Sequence, residues 1–178
     1  MIREGINRCT IKGEILHIYE HPYNGSVVVT IGTSGNKPNV VFLNKIAEQI
    51  KSGYNVGDFI LVEGNIQSSY SYANGIRISI IADNILPLSS TPNRYENHFE
   101  VYGTIKSIVK FGKMHKVNVN TVSNGYVSTV PITFNYYSNC LNFEKSESLR
   151  VSGVIATSSK EVNGQKKYYQ NYVANGVI

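Results

Sequence analysis

Apolar and polar residues alternate along much of the chain, which is the pattern of β-strands with one buried face. Residues 11–15 and 76–80 alternate strictly, whereas short β-branched or apolar runs occupy residues 26–31, 40–43 and 59–62. Turn-forming residues separate these segments, at positions 24–25, 34–36, 57–58 and 74–75. The pattern predicts five strands in the first half of the chain.

One stretch of the first half has a helical period instead. Ile46, Ala47 and Ile50 recur at helical spacing within residues 44–51, and Gly53 follows as a stop signal. Five strands with one helix between the third and the fourth are typical of an OB barrel, a small all-β fold. The first half is therefore predicted to be an OB-fold domain.

The second half follows the order of the first at an offset close to 90 residues. The match begins with residues 7–15 (NRCTIKGEI) and residues 97–105 (NHFEVYGTI). Further matches pair 27 and 29 with 117 and 119, 62–64 with 151–153, 74–75 with 163–164, and 81–85 with 173–177. Chance could produce any one of these matches, but their common order indicates a duplicated domain.

Two tandem OB barrels are the predicted architecture. The first domain spans residues 1–88 and the second residues 95–178, with a short, fairly stiff linker at 89–94. The second helix is expected within residues 135–147, where the helical pattern is weaker than in the first copy. Small domains bury a smaller share of their surface than large ones. We therefore expect the two barrels to pack on each other or on another chain, as in a homo-oligomer.

Charge is distributed unevenly between the two halves. The net charge is +5; residues 1–89 hold seven basic and seven acidic residues, whereas residues 90–178 hold ten and five. A basic half suits a polyanionic partner, although a solvated surface without a ligand would have the same composition.

Three blocks of the first half resemble the bacterial single-stranded DNA-binding protein (SSB) family. Gly5–Arg8, leading to Gly13, resembles the family's opening strand. Val40–Glu48 resembles its third strand and helix start, and Gly57–Gly64 its fourth strand. The resemblance covers about residues 5–86 and implies an OB fold with single-stranded DNA as the ligand.

The chain also departs from that family. It has no tryptophan, and Lys37 and Pro38 stand where the family often has an aromatic residue before its third strand. Residues 173–178 continue a strand pattern where the family usually has an acidic tail that recruits partners. The resemblance therefore implies a fold and a ligand class, and it leaves assembly and partner recruitment open.

A protein that binds a single strand without reading its sequence needs aromatic faces for stacking and cations for phosphates. Thirteen tyrosines and six phenylalanines are available, and several lie beside basic residues on the hairpins that border an OB groove. The predicted nucleic-acid-binding residues are Tyr19, Tyr23, Tyr70, Tyr72, Arg77, Lys110, Phe111, Lys113, Lys116, Lys160, Lys166, Lys167, Tyr168 and Tyr169. Ordinary loop tyrosines would give the same pattern, and the fold favours the binding interpretation.

Catalytic and metal chemistry is not indicated. His17 and His21 are four residues apart, but strand spacing does not bring them together as a helix would, and no third ligand is evident. Cys9 and Cys140 lack the flanking pattern of a nucleophile and are expected to be reduced, partly buried thiols. Paired carboxylates and phosphate-cradling loops are absent from the sequence. We expect neither an enzyme nor a cofactor.

The sequence predicts a cytoplasmic protein that coats single-stranded DNA in replication, recombination, repair or DNA transfer. No apolar run approaches a membrane span, and the first residues lack an apolar signal core. An RNA-binding OB protein is one alternative, because stacking and phosphate contacts do not exclude a 2′-hydroxyl. An OB-fold protein-interaction or assembly module is another, since fold alone does not give function. A nuclease is the least favoured alternative.

Overall fold

The computed structural model describes residues 5–135 and 142–178. These residues form ten strands and one α-helix. In chain order they are β1 (Ile6–Glu20), β2 (Val27–Gly32), β3 (Asn39–Phe42), α1 (Asn44–Gly53), β4 (Phe59–Ser71), β5 (Gly75–Leu88), β6 (Glu96–Phe111), β7 (Met114–Ser123), β8 (Tyr126–Phe134), β9 (Ser148–Val162) and β10 (Gln165–Val177).

The strands pair in two closed circuits. In the first circuit, β1 pairs with β2, β2 with β3, β3 with β5, β5 with β4, and β4 with β1 again. In the second circuit, β6, β7, β8, β10 and β9 pair in the same cyclic order, and β9 returns to β6. The β3–β5 and β8–β10 pairings are parallel, and the others within each circuit are antiparallel. The chain is all-β and OB-like, as the sequence predicts.

The predicted helix lies between β3 and β4. Ala47 and Ile50, two of the three apolar residues that define its period, are fully buried against the core. The helix ends at Gly53, its last residue, and the N–H of the C-cap residue Tyr54 donates to the carbonyl of Ile50. The second predicted helix, at residues 135–147, includes residues 136–141, which lie outside the described residues.

In each circuit, a glycine allows two strands to cross closely. A Cβ atom on Gly64 of β4 would lie 2.3 Å from the carbonyl oxygen of Ile81, and one on Gly153 of β9 would lie 2.0 Å from that of Val173. Both glycines lie beside a β-bulge, between β4 and β5 in one circuit and between β9 and β10 in the other. Only glycine fits at such a close backbone approach.

Two asparagines, the buried Asn7 and the half-buried Asn97, extend the strand pairing beyond those glycines. The side-chain amide of Asn7 donates to the carbonyl of Ile66 (2.7 Å) and accepts from its N–H (2.9 Å). Asn97 makes the same two bonds with Ile155, at 2.8 and 3.0 Å. An amide side chain carries one donor and one acceptor group, so it can replace a peptide unit where the backbone ladder stops.

The two circuits join at one continuous seam. Residues 6–12 of β1 pair antiparallel with residues 96–102 of β6, and Cys9 lies opposite Phe99. The carboxylate of Glu100 accepts hydrogen bonds from Arg8, across the seam, and from Arg150 of β9. Lys12 pairs across the seam with Glu96. In the described part of the chain, no helix has the length and apolar character needed to cross a membrane.

Candidate nucleic-acid interface

The β4–β5 hairpin carries two exposed tyrosines at its tip. Tyr70 lies opposite Ile76 near the end of β4, and Tyr72 in the turn is 99% exposed. The two rings meet edge to face with centroids 5.6 Å apart. Arg77 follows on β5 and is also exposed. This hairpin therefore offers aromatic faces and a cation to solvent.

The loop between β1 and β2 presents two further rings. Tyr19, near the end of β1, is exposed, and Tyr23 in the loop is 92% exposed. The loop is shaped by the side-chain oxygen of Asn24, which accepts from the N–H of Ser26 (3.0 Å) and from its hydroxyl (2.7 Å). This turn holds Tyr23 away from the core.

In the second circuit, the β6–β7 hairpin occupies the place that the β1–β2 loop has in the first, and it is rich in basic residues. Phe111 is exposed at the end of β6, and the chain reverses at Gly112, whose φ of 53° suits a tight turn. Lys110 and Lys113 are exposed beside it, while Lys116 is half-buried opposite Val109.

The β9–β10 hairpin combines lysines and tyrosines. Lys160 lies directly opposite Lys167, an arrangement that is unfavourable unless solvent or an anion screens the two charges. Tyr168 is 72% exposed, and the ammonium of Lys166 lies 5.7 Å from the centre of its ring. Tyr169 is the next residue and is also exposed.

This hairpin forms one wall of an open cleft of about 570 Å³, here named the inter-circuit cleft. Its opposite wall belongs to the first circuit and includes His17 and Lys37. The complete lining is Leu16, His17, Thr30, Gly35, Lys37, Asn39, Thr157, Ser158, Ser159, Lys166, Tyr168, Tyr169 and Gln170. The lining contains two lysines and no carboxylate, so the cleft suits an anion.

The structure brings three predicted residues together in this cleft, namely Lys166, Tyr168 and Tyr169. The other predicted residues lie on β9–β10 outside the cleft lining or on the three other hairpins and loops described above. His17 and Lys37 were not predicted as ligand contacts, although Lys37 stood out in the sequence because it replaces an aromatic residue. Tyr126, the first residue of β8, is also exposed and was not among the predicted residues.

A second cleft of the same volume, about 570 Å³, lies beside the seam. Its lining includes Arg94, Tyr95 and His98, together with the carboxylate-bearing Glu96. Because Arg94 and Glu96 both line it, this cleft has a mixed charge. It provides an internal comparison for the inter-circuit cleft, whose lining includes lysines and no carboxylate.

At the seam, a carboxylate and its arginine partners pair with one another. The Glu100 side chain is only 5% exposed. Burial works to raise the pKa of Glu100, but the hydrogen bonds from Arg150 and Arg8 outweigh it and hold that pKa below its ordinary value. Glu100 is therefore ionised at neutral pH and neutralises arginines at the seam, away from the hairpin lysines.

The described cysteine is not a reactive group. Burial, with a smaller contribution from the Asp83 carboxylate, raises the pKa of the Cys9 thiol to about 12. Cys9 is a buried free thiol, protonated at neutral pH. Cys140 lies outside the described residues. Within residues 5–135 and 142–178, no group of three or more His, Cys, Asp or Glu side chains could hold a metal ion.

Two solved structures of the single-stranded DNA-binding protein from Thermus aquaticus have a similar arrangement of strands. A deletion mutant of the single-stranded DNA-binding protein from Thermus aquaticus superposes with a TM-score of 0.73 and 13% sequence identity, over 98% of this chain and 94% of that one. This chain has an SSB-like OB fold. The wild-type Thermus aquaticus protein gives a TM-score of 0.71 and 14% identity, over 99% of this chain and 93% of that one.

The likeness to the SSB fold is one of structure. No protein-family sequence model matches the chain, and no curated protein sequence matches it. The SSB-like fold extends over nearly the whole chain, and therefore beyond the roughly 80 residues on which the sequence resemblance rested.

Proposed function

We propose that the chain consists of two OB barrels in tandem, residues 1–88 and 95–178, that bind single-stranded DNA with little sequence preference. The observation that carries the proposal is the β9–β10 hairpin, where Tyr168 is held open to solvent beside the ammonium of Lys166 at a cationic cleft. The bound protein would keep the strand unpaired and shielded during replication, recombination, repair or DNA transfer.

The tandem arrangement is supported by the close correspondence of the two circuits. They have the same cyclic strand order, and each has one parallel pairing. The asparagine bonds of Asn7 and Asn97 and the close approaches at Gly64 and Gly153 recur at equivalent places. A duplicated OB barrel accounts for all of these features together.

Single-stranded DNA is favoured because its bases are open to stacking. Each base stacked on an aromatic ring contributes roughly 1–3 kcal/mol, and stacking tolerates any base because every base has a flat face. The exposed rings of the hairpins, with lysines nearby for phosphates, supply both requirements. The two Thermus aquaticus structures of the same fold belong to a protein named for single-stranded DNA binding, which supports the same ligand here.

Fluorescence anisotropy with single-stranded DNA, duplex DNA and RNA of one sequence, at two salt concentrations, tests the proposal. We expect the single strand to bind more tightly than the duplex, whose bases are already stacked on each other. Equal affinity for single strand and duplex at both salt concentrations would leave only charge attraction. Tighter binding of RNA would favour the RNA-binding alternative, and no binding to any of the three would favour an assembly module.

The proposed role is binding, not catalysis. Two of the carboxylates of the second half, Glu96 and Glu100, are engaged in seam ion pairs, which removes them from any metal-assisted hydrolysis. Incubating end-labelled strand with the protein and magnesium or manganese should leave the strand intact. Shortened products that depend on the metal and on the protein would contradict this part of the proposal.

A further inference from the structure

We propose that the inter-circuit cleft is the crossing point at which a bound single strand passes from one circuit to the other. In this arrangement Lys37 and Lys166 contact its phosphates and Tyr168 or Tyr169 stacks on a base. This inference rests on the proposed function and adds a location to it. It also predicts which strands use that location, namely those long enough to occupy both circuits.

The cleft is built from both circuits, as a crossing point requires. His17 of β1 and Lys37 of the β2–β3 loop come from the first circuit, and the tyrosines and Lys166 come from the second. Neither circuit alone would place lysines on both sides of one cleft. A ligand that lies in it therefore touches both circuits at once.

The cations of the cleft have no carboxylate partner. In the described part of the chain, neither Lys37 nor Lys166 takes part in an ion pair. Glu161 lies opposite Lys166 in the β9–β10 ladder, yet the Lys166 ammonium lies near the Tyr168 ring instead. Two lysines left unpaired in one cleft are suited to phosphates, which they would neutralise with release of counterions.

The walls of the cleft are fixed before any ligand binds. The N–H of Lys37 donates to the hydroxyl of Thr157 (2.8 Å), and the N–H of Thr157 donates to the side chain of Asn36 (2.9 Å). The N–H of Asn39 donates to the side-chain oxygen of Gln170 (2.9 Å). These bonds link the β2–β3 loop and the first residue of β3 to the β9–β10 hairpin, so little ordering is needed when a strand enters.

Comparison with the second cleft shows that the packing of the two circuits does not by itself produce a cleft lined by lysines without a carboxylate. The second cleft has the same volume and also lies between the circuits, but it contains Glu96 beside Arg94. A phosphate entering it would meet a carboxylate. The difference singles out the inter-circuit cleft for the strand and supplies a matched control for its test.

The test uses strand length to separate crossing from local binding. OB barrels occupy about 4–16 nucleotides each, so a strand of about 8 nucleotides fits one circuit and one of about 30 reaches both. The full-length variant K37Q/K166Q is compared with the control R94Q/K45Q, which removes one charge from the second cleft and one from α1. Anisotropy gives the dissociation constant for both strands over a range of salt concentrations.

For the strand of about 30 nucleotides, K37Q/K166Q should flatten the log–log salt slope by about 1.4, since each lost phosphate contact is worth about 0.7. The slope for the short strand should stay at the parent value, and the control should change the long-strand slope less. The charge-conserving variant K37R/K166R should restore the parent slope for the long strand, which separates loss of charge from misfolding.

An unchanged long-strand slope in K37Q/K166Q, with both strands still bound, would overturn the crossing point and leave the proposed function standing. An equal flattening for both strands would also overturn it, because the cleft would then be a local site. Failure of the parent protein to bind either strand would overturn the proposed function itself.

Discussion

The two circuits share a backbone arrangement and differ in the side chains that they expose. The features that close each circuit recur in both: an asparagine that extends the ladder, a glycine at a close backbone crossing, and a bulge in the first strand at Ile15 to His17 or Ile105 to Ser107. Each is required by backbone geometry, which tolerates little change. The recurrence therefore reflects the fold alone and gives no information about ligands.

The hairpins that extend beyond the core are where the circuits diverge. In the first circuit Tyr70 of β4 faces Ile76 of β5, whereas in the second Ser159 of β9 faces Tyr168 of β10. The exposed ring has moved to the opposite strand of the hairpin. Since exposed side chains on such hairpins are not part of the core, they are the places where binding residues can change. Charge follows the same division, because the excess of basic residues lies in the second half.

The largest expected effect compares the two aromatic hairpins directly. Y168A/Y169A and Y70A/Y72A should each weaken single-strand binding, because a lost stack costs roughly 1–3 kcal/mol and a double variant loses up to two. Titration of a labelled strand of about 30 nucleotides gives the affinities, and circular dichroism reports on folding. We expect the larger loss for Y168A/Y169A, which also removes two rings from the inter-circuit cleft.

Two folded double variants that bind like the parent would show that neither hairpin holds the strand. A loss confined to Y70A/Y72A would place the main contact on the first circuit and leave the second as an assembly surface.

The next prediction tests whether the close backbone approach at the glycine is equally important for the stability of both circuits. G64A and G153A each place a Cβ atom within 2.3 Å of a backbone carbonyl oxygen, so the strands must separate. Overpacking of this kind costs about 1–3 kcal/mol, and contact with backbone should bring both variants to the upper end. Urea unfolding measures the loss. The control G53A, where nothing lies within 4 Å of the new methyl group, should unfold like the parent or later.

If G153A were as stable as the parent while G64A was not, the second circuit would be the more adaptable of the two. The two glycines would then occupy equivalent positions, but only the first circuit would require glycine there.

Most of the fold could be predicted because buried faces leave a period in the sequence. The alternation around Ile11 and the helical spacing of Ile46, Ala47 and Ile50 reflect the burial of one face, and the structure confirms the helix. The length of β1 could not be predicted in this way. Its bulge between Ile15 and His17 shifts the alternation by one residue, so the pattern stops at Ile15 although the strand continues to Glu20.

The candidate site could be predicted only where it is local. The hairpin residues Tyr70, Tyr72, Tyr168 and Tyr169 follow from turn signals beside aromatic residues, and all four are exposed. The inter-circuit cleft depends instead on contacts between distant segments. Lys37 meets Thr157 across 120 residues of sequence, and no periodicity indicates such a contact. The seam likewise follows from the pairing of β1 with β6, which no local pattern specifies.

The smallest expected effect concerns the seam, where each circuit supplies one arginine to the same carboxylate. The pKa of Glu100 is lower in the folded protein than its ordinary value of about 4.3 in an unfolded chain. Its contribution to stability is therefore fully present above that ordinary value and is lost as the pH falls through the folded pKa. Acid should thus weaken the protein below about pH 4 through this group.

R150Q and R8Q separate the contributions of the two circuits to that pH dependence. Both arginines lower the pKa of Glu100 through a hydrogen bond and through their charge. Since the Arg150 side chain is less exposed than that of Arg8 (43% against 68%), solvent screens it less, and R150Q should flatten the acid limb of the stability–pH curve more than R8Q. Each change should be about 1 kcal/mol or less, because both arginines are partly or largely exposed to solvent and salt. Urea unfolding at several pH values between neutral and acid gives the curve. A larger change for R8Q would mean that β1, reaching across the seam, is the main support of Glu100, and a change for neither would mean that acid acts on the protein elsewhere.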